Sequence, residues 1–92
     1  MEKEKIIEKL KGEGYDEVYE WEDKPDAHYS AHKHNFDTKL VILEGELSIE
    51  IQMVYGKKIL RPGEEMVIPK ETFHAAWAGP TGCKYIVGEK HK

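Results

Sequence analysis

His32-Lys33-His34-Asn35-Phe36-Asp37-Thr38-Lys39-Leu40-Val41-Ile42-Leu43-Glu44-Gly45 sets an alternating histidine pair just before an apolar run. On an extended strand alternate side chains share a face, so the His32 and His34 imidazoles point the same way. A third histidine, His74, follows Pro69-Lys70-Glu71-Thr72-Phe73, after a second strand-like segment that opens at Pro62-Gly63. Two same-face histidines on one strand and a third on a distant strand are candidate nitrogen donors for a divalent metal. Imidazole is a ligand that Zn, Fe, Ni and Cu all accept. As spacing alone, His-x-His is a weak signal; the flanking sequence adds the rest.

Downstream of Gly45 the alternation is strict. Leu47, Ile49, Ile51 and Met53 fall on one face, with Ser48, Glu50 and Gln52 on the other, as in a half-buried antiparallel strand. Tyr55-Gly56-Lys57-Lys58 reads as a hairpin turn leading into Lys57–Arg61 and the Pro62-Gly63 turn. Glu65 to Pro69, His74 to Ala78 and Cys83 to Val87 read as further short strands, the last two separated by Gly79-Pro80-Thr81-Gly82.

Upstream, Tyr15, Glu17, Tyr19 and Trp21 share one face of an aromatic strand suited to an edge or an interface, and Lys24-Pro25-Asp26 is a turn. Ile6, Ile7 and Leu10 lie at helical spacing between Glu2 and Lys11, with Gly12 as a stop. The organisation expected is a helix over 1–14, a β-barrel over 15–88 and a flexible tail over 89–92. Short strands punctuated by turn signals argue an all-β sandwich or barrel.

Composition narrows the function. A chain of 92 residues makes one domain with a modest core, which oligomerisation would extend. Mean hydropathy is -0.70 and no apolar stretch approaches membrane length. The opening Met1-Glu2-Lys3-Glu4-Lys5 has no apolar signal region, so a cytoplasmic location is expected. Net charge is -4 with both signs interspersed, which disfavours nucleic-acid binding. Arg61 is the only arginine, so a bidentate clamp for carboxylate or phosphate is scarce. The single cysteine, Cys83, excludes an internal disulfide and a Cys-rich zinc site.

These motifs resemble those of the cupin family, in its small single-domain form. The first motif, roughly H-x-H, three or four residues, E, six residues, G, matches His32 to Gly45. The second, roughly P-G-D, an apolar stretch, then P-x-G-x-x-H, matches Pro62 to His74. The resemblance covers about Trp21 to Val87. It implies a double-stranded β-helix, a jelly-roll-like barrel that is often dimeric, with a metal held inside by both motifs. Carried over, His32, His34 and His74 match the three metal-binding histidines. Thr38 stands where the family has glutamate, Glu71 where it has glycine, and Ala78 where it sometimes has asparagine.

The metal implied is one divalent transition ion: Zn, Fe, Ni or Mn. Three neutral imidazoles leave its charge uncompensated, which favours a small anionic ligand. His28 shares parity with His32 and His34, but four residues of strand span ~13 Å, too far for one ion. Thr38, His28, Glu71, Phe36, Met66 and Trp77 are the candidate pocket residues, with Tyr85 a further aromatic. Asp37 could reach the site only if its loop bends inward, and His91 lies in the expected disordered tail. Three functional readings follow. They are a metal-dependent small-molecule binding module, a three-histidine Fe(II) dioxygenase of a small thiol, diketone or aromatic, and a metal-dependent sugar or keto-acid isomerase or lyase. The shortage of acid–base groups beyond the ligands ranks the binding module first, as a homodimer with no nucleic-acid or membrane partner.

Overall fold

Period-two alternation builds more than half of the chain into strands. The computed structural model describes residues 3–52 and 56–92. One helix, α1 (Lys3–Gly12), precedes β1 (Glu17–Asp23), β2 (His28–His32), β3 (Asp37–Ile51), β4 (Lys57–Leu60), β5 (Glu65–Ile68) and β6 (His74–Lys90). Glu2, Met53 and Tyr55, assigned above to the helix, the alternating strand and the hairpin turn, lie outside the described residues.

Two segments expected to break at glycine turns are single long strands. β3 runs 15 residues through Glu44-Gly45, and β6 runs 17 through Gly79-Pro80-Thr81-Gly82. They pair antiparallel from Asp37↔Lys90 to Gly45↔Cys83 and again from Leu47↔Ala78 to Ile51↔His74, with irregular register between. The first half of β3 and the second half of β6 are flanked by β5 and β1. The other halves are flanked by β4 and β2. The shared long strands bend there, so two sheets face each other across one interior. The bend requires glycine: a Cβ on Gly45, whose φ is +76, would lie 2.1 Å from the Gly82 carbonyl oxygen.

The interior is filled from both sheets by Leu40, Ile42, Leu47, Ile49, Leu60, Ile68 and Val87. Helix α1 covers the outer face of the first sheet, where Leu10 and Tyr15 meet Val41 and Ile86. This explains the unbroken run Leu40–Leu43: Leu40 and Ile42 face the interior, while Val41 and Leu43 face the helix. Lys39, on the helix side, is buried with its ammonium paired to Glu13 at 2.7 Å and Glu65 at 3.3 Å. Tyr15 therefore does not share a face with Tyr19, because it precedes the strand and turns under the helix.

Residues 89–92 are expected as a tail. β6 continues to Lys90, and the His91 backbone N–H donates to Asp16 Oδ1 at 2.7 Å. Among the described residues no helix is long and apolar enough to cross a membrane.

Candidate metal centre

His32 ends β2 and His74 opens β6, and the two are direct cross-strand partners. His34 lies beyond the strand, in the connection to β3, rather than on a continuous strand with His32. Its carbonyl accepts the Glu71 N–H at 2.8 Å, which ties this connection to the loop before β6. The ring centroids are 4.4 Å apart for His32–His74, 4.9 Å for His32–His34 and 5.4 Å for His34–His74. One ring nitrogen from each lies within 4.8 Å of the others.

The imidazoles are prepared for ligation. His32 Nδ1 lies 2.6 Å from the Ser30 carbonyl and His74 Nδ1 3.1 Å from that of Thr72. Only a protonated nitrogen bonds a carbonyl, so each Nδ1 carries a hydrogen and Nε2 is the nitrogen left to face a ligand. Burial holds His34 and His74 below the ordinary value of 6.5, and neighbouring histidines push the same way. Neutral rings are what a metal requires. This donor set therefore fits a divalent ion accepting nitrogen ligands at ~2.0–2.1 Å after small ring movements.

The histidines sit in the wall of a cavity of about 240 Å³ between the two sheets. Thr38 also lines it, as does Glu89, whose carboxylate accepts from the Tyr19 hydroxyl at 2.5 Å and bonds His91 Nε2 at 2.8 Å. Aromatic side chains Tyr19, Trp21, Tyr29 and Tyr85 line the remainder with aliphatic residues of the core. The buried Asp23 carboxylate accepts from Tyr85 OH at 2.7 Å, from Trp21 Nε1 at 2.9 Å and from Tyr29 OH.

Several expected pocket residues lie elsewhere. A register irregularity between Tyr29 and His32 turns Tyr29 inward and His28 outward. His28 stacks on Trp77 at 5.0 Å, and Lys57 Nζ sits 4.0 Å above that ring, so neither aromatic group lines the cavity. Glu71 is exposed and pairs with Lys33 at 3.1 Å. Met66 packs against the core without lining the cavity. Phe36 stacks behind His34 at 4.9 Å and meets His91 at 4.3 Å, which supports the imidazole from outside. Asp37 opens β3 rather than lying in a loop, and its Oδ1 accepts the Lys70 N–H at 2.8 Å, away from the cavity. Asp23, Tyr29 and Glu89 were not expected. For Glu89 a signal existed: it shares parity with Tyr85 and Val87, both of which line the cavity.

Comparison with solved structures places this architecture. The chain is 20% identical to a cupin superfamily protein from Desulfitobacterium hafniense, with a TM-score of 0.68 over 84% of this chain and 80% of that one. The chain folds as a small cupin domain. This cupin domain is also 26% identical to protein NMB1881 from Neisseria meningitidis, covering 79% of this chain and 71% of that one at a TM-score of 0.65. It is 20% identical to the DMSP lyase DddQ from Ruegeria pomeroyi at a TM-score of 0.73, covering 82% of this chain but spanning only 38% of that one. No protein-family model matches the sequence, and no curated protein matches it either. At Glu71 the backbone keeps the conformation of the motif although the residue departs from it. Its φ is 60, in the left-handed region natural to the glycine that the motif places there.

Proposed function

We propose that this cupin domain binds one divalent transition metal through His32, His34 and His74 and holds a small anionic molecule in the coordination positions left open. The observation that carries the reading is the convergence of three ring nitrogens within 4.8 Å on the wall of an open cavity. Three neutral donors leave the ion's charge uncompensated, which attracts an anionic group. Zn, Fe, Ni and Mn all accept such a set, alone or with a carboxylate from the ligand. Elemental analysis of protein purified without added metal tests it, with one metal per chain expected. A His34→Ala/His74→Ala variant that still holds one metal per chain refutes it.

A second reading, a lyase acting on a small acid, is supported by the Tyr19–Glu89 pair in the cavity, a positioned acid–base group beyond the ligands. Elimination from small carboxylic acids by the metal-loaded protein, lost in Glu89→Gln with metal retained, checks it. The domain is further read as a cytoplasmic homodimer. The aromatic strand β1 stands at the end of the strand order, and its Trp21 is exposed although it also lines the cavity. Ile59, Val67 and Phe73 are exposed as well. Light scattering at micromolar concentration should give a mass near twice 10.7 kDa.

A further inference from the structure

The aromatic part of the cavity wall has already committed its polar hydrogens. Tyr85 OH, Tyr29 OH and Trp21 Nε1 all donate to the buried Asp23 carboxylate, and Tyr19 OH donates to Glu89. A hydroxyl that has given its hydrogen away offers only lone pairs to a ligand. The rings themselves offer π faces, whose quadrupole is negative. Behind them stands Asp23, whose side-chain donors here are all uncharged, and beside them Glu89. Among the described residues no lysine or arginine lines the cavity. This wall therefore repels a second anionic group and attracts a cation, especially an alkylated one whose hydration is weak.

The histidine end carries the opposite preference once a metal is present. The cavity then holds a positive metal and a negative aromatic wall together. We propose that the cavity takes a small zwitterion, its carboxylate toward His32, His34 and His74 and its alkylammonium against Tyr19, Trp21, Tyr29 and Tyr85. The carboxylate half rests on the metal reading above; the ammonium half does not.

Two titrations, followed by the NMR methyl signals of cavity-lining Val87, test the halves separately. In metal-free protein, tetramethylammonium should shift these signals at about one-tenth the concentration of tert-butanol, its uncharged counterpart in shape. Trp21→Leu should abolish most of that preference. Trp21 is 48% exposed, so this variant keeps the fold even if Asp23→Asn, the parallel test, does not. In zinc-loaded protein, glycine betaine should bind about tenfold tighter than 3,3-dimethylbutanoate, which replaces the charged nitrogen by carbon. Equal or weaker binding of the charged member in both pairs overturns the inference, even if zinc binds as expected. A protein that takes up no zinc yet prefers tetramethylammonium removes the metal reading and upholds the cation-binding wall.

Discussion

Thr38 and Glu89 are direct partners across β3 and β6, and both side chains line the histidine cavity. The cavity's carboxylate thus stands on β6, one strand away from the position where the family motif has glutamate. Glu89 is engaged by Tyr19 and His91. It does not belong to the group of nitrogens that converge around His32, His34 and His74.

Thr38→Glu should therefore add a carboxylate ligand and tighten manganese binding on the order of tenfold, since Mn favours oxygen donors. It should also place two like charges directly opposite each other and cost the metal-free protein roughly 0.2–1 kcal/mol. Glu89→Gln in the same background should recover that loss. Manganese titration and thermal unfolding of the single and double variants check both halves. Unchanged manganese affinity would mean that the residue 38 side chain does not reach the ion.

Glu71 holds a φ of 60 without being glycine. The left-handed conformation costs an L-residue roughly 1–2 kcal/mol, and glycine's extra unfolded-state freedom returns roughly 0.5–1 of that. The Glu71–Lys33 pair is exposed at both ends and contributes little. Glu71→Gly should stabilise the domain by about 0.5–1 kcal/mol. That corresponds to a Tm increase of about 2–8 °C. An unchanged or lower Tm would show that the loop relaxes around the side chain.

Acid should weaken the metal-free protein. His34 and His74 are held below 6.5 by burial, so the unfolded chain binds their protons first as pH falls. Their contribution is fully present above pH 6.5 and declines as pH falls from there through the folded values. His91 is raised by its bond to Glu89 and has the opposite sign, its contribution fading as pH rises through its folded value. Tm measured between pH 7.5 and 5 should fall, and fall further in His91→Gln. A flat profile in His91→Gln would contradict the burial of the two rings.

Cys83 is buried, and burial with the nearby Asp23 and Glu46 carboxylates pushes its thiol up to about 12. The thiolate is the reactive form. A disulfide reagent at pH 8 should label the folded protein at least ~100-fold more slowly than the urea-unfolded chain, through opening events only. Comparable rates would place the thiol at the surface.

The histidine triad and the antiparallel barrel are legible in the sequence for local reasons. Imidazole chemistry belongs to the residue, and the alternation Leu47–Ile51 fixes a face without knowledge of the partner. Three other features depend on residues far apart in the chain. Glu44-Gly45 and Gly79–Gly82 look like chain breaks, yet β3 and β6 run through them because each supplies the other's ladder on both sides of the bend. His28 loses its inward parity to an irregularity that only the pairing of β2 with β6 reveals. Nothing local to Asp23 marks it as buried, and Glu89 falls in the stretch expected as a tail. Their hydroxyl donors Tyr85 and Tyr19 arrive from 62 and 70 residues away. Residue type therefore determines which groups can bind a metal, whereas the face that each takes depends on the pairing of the strands. Tertiary pairing decides which acids leave the solvent, because the free energy that makes a buried carboxylate tolerable comes from donors that only the closed fold brings to it.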